Sequence, residues 1–172
     1  MDFKELTTAL DKNPWSQHPI LAFDPGHTTG WAFFEEGELK FAGEIDTTSI
    51  EACGEHAVKL FALYRPVVVV MEDYRVYKWR AKHHVGSELL TSQVLGALQL
   101  LAIQSASTQN IAVHIIKQPA QVAKGFCTDK KLKEWGYWQS GERHARDAIR
   151  HGCYYILFGA TRKKDRDGSS VG

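Results

Sequence analysis

The stretch "LAFDPGHTTGWAFFEEGELKFAGEI", residues 21–45, decides the fold. Ile20 to Phe23 is a short apolar run that ends in Asp24 and is followed by the turn residues Pro25 and Gly26. Gly30 to Phe34 is a second apolar run. Glu35-Glu36-Gly37-Glu38 has the composition of a hairpin turn, and Leu39 to Ile45 returns as a third strand. The pattern predicts an antiparallel meander of three strands. It also sets a physical problem, because a carboxylate at the end of a core strand costs desolvation energy unless a positive partner meets it. That partner is a metal ion, the phosphate-bound metal of a nucleotide, or a neighbouring Lys or Arg.

Outward from this stretch the chain alternates helix and strand. Residues 1–18 are read as a leading segment with one or two helical turns, ended by Asn13-Pro14. Thr48-Ser49-Ile50-Glu51 has capping-box spacing and opens a helix whose apolar stripe includes Ile50, Ala57, Phe61 and Tyr64, with Pro66 as its stop. Val67 to Met71 is a β-branched apolar run of the kind buried on both faces, and it too ends in a carboxylate, Glu72. An irregular polar, aromatic and basic stretch follows to Gly86. A long helix is expected from Ser87 to about Ser105, a buried strand over Ala112 to Ile116, and one or two short helices within 117–140. A last helix is expected from about Glu142 to Phe158, with residues 160–172 as a solvated basic tail. The fold class is therefore α/β: a mixed central sheet, antiparallel meander first and parallel strands after, with helices on both faces. Residues 19–159 form its single catalytic-sized domain, and strand ends in such sheets become sites.

A chain of 172 residues suffices to bury a core without staples. No apolar stretch approaches a membrane span and no leader pattern is read, so no membrane association is expected. Cys53, Cys127 and Cys153 have no metal-knuckle spacing, which favours a reduced, cytoplasmic setting. The formal net charge of +1 hides an asymmetry: residues 1–60 carry 4 Lys/Arg against 11 Asp/Glu, and residues 61–172 carry 17 against 9. A basic second half is consistent with a polyanionic partner such as nucleic acid.

The chemistry concentrates in three places. Asp24 and Glu72 converge at one sheet edge if their strands are neighbours. His144 and Asp147, in Glu142-Arg143-His144-Ala145-Arg146-Asp147, are three apart on a helix and share a face. Taken singly, an Asp after a strand is ordinarily a turn former, and a lone His is ordinarily a surface residue. Taken together, carboxylates with one imidazole are suitable ligands for Mg²⁺ or Mn²⁺. A pair of such ions activates a water and stabilises the leaving oxygen of a phosphodiester.

At these residues the chain resembles a known family. FDPGHTTGWAFF is similar to the first-strand motif of the RuvC-type Holliday-junction resolvases, within the ribonuclease-H-like superfamily. VVVVMEDY resembles that family's fourth-strand motif, and HARDAIRHGCYYI its C-terminal helix. The resemblance covers roughly residues 19–158, and the short body looks most like phage-encoded members. It implies a ribonuclease-H-like fold and a metal-dependent endonuclease that cuts four-way junctions, with two Mg²⁺ or Mn²⁺ ions per site. It further implies Asp24, Glu72 and Asp147 as metal ligands and His144 as a fourth ligand or proton-handling residue. It also implies a homodimer whose paired sites cut opposed strands of the branched DNA. The apolar helix 87–105 is either the dimer face or a central core helix.

The substrate-facing residues follow. Tyr74, Arg75, Tyr77, Lys78, Trp79, Arg80 and Lys82 interleave cations, which hold phosphates, with rings, which stack on unpaired bases. The resemblance places a probing aromatic in this segment, for which Tyr74 or Tyr77 is the expectation. Lys117, Lys124, Lys130, Lys131 and Lys133, with Arg143 and Arg146, form a second basic set suited to duplex arms. Competing readings are a related nuclease acting on flaps or structured RNA, an actin-like ATPase whose phosphate loop also uses strand-Asp-x-Gly-Thr, and a non-catalytic DNA-binding protein.

Overall fold

The computed structural model describes residues 1–10, 13–47, 49–73 and 90–159. Five strands, β1 (Ile20–Asp24), β2 (Thr28–Glu35), β3 (Glu38–Asp46), β4 (Val68–Glu72) and β5 (His114–Gln118), form one sheet in the order β3-β2-β1-β4-β5. β2 runs antiparallel to both β1 and β3, whereas β1, β4 and β5 are parallel. Among the described residues six helices accompany it: α1 (Phe3–Leu10), α2 (Ile50–Tyr64), α3 (Leu90–Gln109), α4 (Ala120–Phe126), α5 (Asp129–Glu134) and α6 (Arg143–Phe158). This is the mixed α/β architecture expected from the meander and the later parallel strands.

The period of two in the central strands builds two cores. On one face Ile20, Ala22, Phe34, Val68 and Val70 pack with Ala148, Ile149, Cys153 and Ile156 of α6. On the other, Leu21, Phe23, Phe33, Val69 and Met71 pack with α2 through Cys53, Ala57 and Phe61, and with α3 through Val94, Leu95, Leu98 and Ala102. β1 and β4 are thus covered on both sides, which is why they read as unbroken apolar runs. Phe3 of α1 is buried in the first core against Trp135 and Tyr137, at ring separations of 4.9 and 5.3 Å.

Element ends are set by caps and by partners. α2 is capped by Ser49, whose hydroxyl accepts from Ala52 N at 3.1 Å, one residue later than the capping-box reading placed it. It closes on Arg65 in the left-handed region, φ 45°, just before Pro66. α3 runs four residues past the expected Ser105, to Gln109, and ends where Asn110 adopts φ 51°. The expected start of that helix at Ser87 lies outside the described residues. β5 spans His114–Gln118 rather than Ala112–Ile116, because its parallel register with β4 pairs Val68 with His114 and Glu72 with Gln118. No helix among the described residues is long and apolar enough to cross a membrane.

Candidate metal centre

Two strand ends and two helices build the site. β1 and β4 are parallel neighbours with Phe23 opposite Met71, so the next residue on each, Asp24 and Glu72, leaves the sheet at the same carboxyl edge. The first turn of α6 descends onto β2 at Gly30. A Cβ there would stand 1.9 Å from the His144 carbonyl oxygen, so only glycine permits the approach. Gly30 is the cross-strand partner of Asp24. The same close contact therefore brings His144 beside Asp24, with Nδ1 2.9 Å from Oδ2. Glu44 of β3 secures the helix start: its Oε1 accepts from the backbone N–H of His144 at 2.7 Å and of Ala145 at 3.3 Å. This satisfies two otherwise unpaired donors and sets a negative charge at the positive end of the helix dipole.

We expect Gly30→Ala to push α6 off the sheet at a cost of about 1–3 kcal/mol. Thermal unfolding in chelator should show that loss. Any rise in Tm on adding Mn²⁺ should shrink as well, because the turn that brings His144 beside Asp24 is displaced; an unchanged Mn²⁺ response would detach this turn from the site.

Further along α6 comes Asp147, and from α4 comes Lys124. The Lys124 ammonium lies 3.0 Å from Glu72 Oε2, 3.1 Å from Asp147 Oδ2 and 3.9 Å from Asp24 Oδ1. Three carboxylates from three elements thus converge on one cation-sized point. Around them stands a supporting ring. Arg150 pairs with Asp147 and Asp129, and its Nε donates to the Cys127 carbonyl at 2.9 Å. His151 Nε2 lies 3.2 Å from Glu72 Oε2, and its Nδ1 lies 3.1 Å from Gln118 Oε1.

This crowding sets the protonation. Burial, then the hydrogen bond and charge of Glu72, raise Asp24 from its ordinary 3.8 to about 7. Burial also pushes Glu72 upward, but hydrogen bonds with His151, Asp24 and Lys124 outweigh it and hold Glu72 at about 2. Below about pH 7 the Asp24–Glu72 pair therefore shares one proton. Burial alone would lower Lys124, yet contact with Glu72 and the charges of Asp24 and Asp147 raise it, so it stays charged.

The donor set fits a divalent metal. A carboxylate oxygen from each of Asp24 and Glu72 and a ring nitrogen of His151 lie within 4.8 Å of one another, so the two carboxylates are close enough to share a cation. Asp147 shares the Lys124 ammonium with Asp24 and Glu72, so its carboxylate faces the same point. Oxygen-rich sites of this kind suit hard divalent cations.

Of the residues expected from sequence, Asp24, Glu72, His144 and Asp147 come together. Lys124, expected along a duplex arm, lies among the carboxylates. Arg143 and Arg146 line a cleft of about 430 Å³ with Lys124, Thr128, Asp129, Asp147 and Arg150. Lys117 is exposed on β5, Lys130 pairs with Glu134 at 3.9 Å, and Lys131 and Lys133 stand over the rings of Phe126 and Trp138. Tyr74, Arg75, Tyr77, Lys78, Trp79, Arg80 and Lys82 lie outside the described residues. Sequence reading passed over Arg150, His151, Gln118 and Glu44. For the first two a signal existed: three and four residues after Asp147 on one helix, they share its face.

Fold and site define a class: a ribonuclease-H-like α/β domain with acidic residues gathered at the carboxyl edge of its central strands. No protein-family model matches the sequence, and no curated protein matches it. Solved structures do. The chain is similar to T. thermophilus RuvC in complex with Holliday junction substrate, with a TM-score of 0.62 and 13% identity over 81% of this chain and 93% of that one. It is similar to a second Thermus thermophilus RuvC structure, at a TM-score of 0.60 and 15% identity over the same shares. The yeast mitochondrial Holliday junction resolvase Ydc2 follows, at 0.53 and 13% over 88% of this chain and 83% of that one. What is shared at these identities is the fold.

Proposed function

We propose that the protein is a metal-dependent endonuclease that resolves four-way and other branched DNA junctions by phosphodiester hydrolysis. One observation carries this reading: carboxylates from β1, β4 and α6 converge on a single cationic point, Lys124 Nζ, beside a basic cleft. The likeness to RuvC solved with a Holliday junction supports the choice of branched DNA.

Asp24, Glu72 and Asp147 hold Mg²⁺ or Mn²⁺, two ions in the full site, with Asp24 placed between the other carboxylates and His144. Bound there, divalent cations supply an activated water and neutralise charge on the departing oxygen. Lys124, Arg143 and Arg146 then meet the phosphate that enters the cleft, Arg146 being braced over the Trp138 ring at 4.5 Å. His144, tied to Asp24 and with its side chain 37% exposed, is a further ligand or exchanges a proton with solvent at its ring nitrogens. In the sequence after Glu72, Arg75, Lys78, Arg80 and Lys82 would hold phosphates, and Tyr74 or Tyr77 would stack on an unpaired base. Cutting two strands calls for two copies. Leu98 of α3 is wholly buried, whereas Leu100 and Ile103 are more than half exposed, and these two supply the contact between copies.

The test is a panel of labelled four-way junction, flap, Y-fork, linear duplex and RNA–DNA hybrid, each with Mg²⁺, Mn²⁺ or chelator. Paired nicks in the junction are expected with metal alone. Sedimentation of the same protein should give a dimer at micromolar concentration, dissociated by Leu100→Glu with Ile103→Glu. Cleavage of the hybrid with the junction untouched would assign a different substrate, and no cleavage of any substrate would reject the nuclease.

A further inference from the structure

We propose that His151 and Gln118 form a buried pair that aims Glu72, so that His151 is a positioning residue acting through its Nε2–H and not a ligand of the cation. The inference rests on the reading of Glu72 as a metal-holding residue. Glu72 ends β4, and a glutamate side chain rotates about several bonds, so something must stop it from swinging away from the cluster. Its register partner on β5 is Gln118, which places the two side chains at the same level of adjacent strands. His151, reaching down from α6, spans them: 3.2 Å from Nε2 to Glu72 Oε2 and 3.1 Å from Nδ1 to Gln118 Oε1.

Three observations separate this imidazole from a ligand. Both of its nitrogens are occupied, one by the carboxylate and one by the amide. It is completely buried, whereas His144 and Lys124, on the same cluster, have side chains more than a third exposed. And the Gln118 amide nitrogen is buried with no hydrogen-bond partner among the described residues. An unmade hydrogen bond of that kind is destabilising, because the group has lost its water without gaining a partner. Turning the carboxamide end for end, an exchange of N and O that leaves its shape unaltered, points an N–H at His151 Nδ1. The amide then donates to Nδ1 and the unpartnered position passes to its carbonyl oxygen, an orphan that buried sites tolerate more readily than a donor; Nδ1 becomes the acceptor, and the ring carries its hydrogen on Nε2, directed at Glu72. Gln118 thus fixes the tautomer and His151 fixes the carboxylate. α6 supports two ligands in succession, Arg150 holding Asp147 and His151 holding Glu72. Partners of this kind are worth about 10–100-fold in metal affinity or activity.

The experiment uses the full chain. ¹⁵N-labelled protein in chelator should show His151 as the neutral Nε2–H tautomer, and the Nε2–H correlation should persist when Mg²⁺ is added. Direct Mn²⁺ binding should weaken about 10–100-fold in His151→Phe, which keeps the ring shape and loses the donor. His151→Gln, which restores an N–H near the Nε2 position, should recover most of that loss. If His151→Phe does not fold, Gln118→Met serves: it should mix the tautomers and weaken Mn²⁺ binding while His151 remains. Loss of the Nε2–H signal on Mg²⁺ addition would overturn the proposal by making His151 a ligand. Equal Mn²⁺ affinity in wild type, Phe and Gln variants, with only Tm altered, would overturn it by making the histidine purely structural. Wild type and Glu72→Gln are titrated first. If they bind Mn²⁺ alike, it is the metal reading of Glu72 that fails, while the tautomer measured in chelator still tests the pair.

Discussion

Asp24→Asn should abolish metal-dependent cutting and yet make the metal-free protein more stable at pH 8. The catalytic half follows from the donor set: the substitution removes the anion that lies between Glu72 and His144. Losing several kcal/mol of metal-derived stabilisation corresponds to about a 10³-fold or greater fall in rate. The stability half follows from protonation. Asp24 is raised from 3.8 to about 7, foremost by burial and then by Glu72, so its folded form binds a proton more tightly than its unfolded form. Its contribution to stability is complete below about pH 4 and is lost as pH rises through about 7. Glu72, held at about 2 against its ordinary 4.5, works in the opposite sense: it stabilises above pH 4.5 and loses that contribution as pH falls toward 2. Between pH 5 and 8 the Asp24 slope is therefore the one exposed to measurement. Wild type in EDTA should lose Tm across this range, and Asp24→Asn should not. At pH 8 the variant should stand higher by about 1 kcal/mol, or about 3 °C for a domain of this size. Added Mn²⁺ should reverse the order, raising wild type and leaving the variant unmoved. Parallel pH slopes in the two proteins would show that Asp24 carries no shared proton.

Much of this site was legible in the sequence, and what was not shares one cause. Asp24 and Glu72 could be read because each ends an apolar run long enough to be a core strand, and a strand has a definite end. His144 and Asp147 could be read because three residues on a helix return to the same face. Arg150 and His151 obey the same rule. They were passed over because an arginine and a histidine inside a helix carry no meaning until the carboxylates they meet are placed. Gln118 is harder still, since its role depends on the register of β5 against β4, and the apolar pattern alone set that strand two residues too early. Glu44 caps a helix 100 residues away, a contact no local window contains. The basic residues show the limit most plainly: charge identifies Lys124 as a cation, but only the crossing of α4 decides whether it faces a phosphate or three carboxylates.

That crossing leads to the second large effect. Lys124→Met should destabilise the protein in chelator, increase its response to Mn²⁺ and slow cleavage. In the absence of metal the ammonium is the cluster's central cation, within 3.0 to 3.9 Å of all three carboxylates. Removing it leaves their charges facing one another in a largely buried site. Breaking a fully buried pair costs about 3–5 kcal/mol. The Lys124 side chain is 36% exposed, so water screens part of this and a loss of about 1–2 kcal/mol is the expectation. A cation entering the site must displace the wild-type ammonium, and in the variant it need not. Mn²⁺ should accordingly bind more tightly to Lys124→Met and produce a larger rise in Tm, recovering most of the loss seen in EDTA. Cleavage should nevertheless fall, because the displaced lysine is a cation that touches all three carboxylates and also lines the cleft shared with Arg143 and Arg146. Tighter metal binding with slower cutting is the combination to look for, by calorimetric Mn²⁺ titration beside single-turnover junction cleavage. Lys124→Arg keeps the charge but spreads it over a planar fork that fits three converging carboxylates poorly. It should therefore restore stability in EDTA better than it restores the rate. If Lys124→Met binds Mn²⁺ no more tightly than wild type, the ammonium does not occupy the cation's place, and the convergence of Asp24, Glu72 and Asp147 upon it reflects an ion-pair network alone.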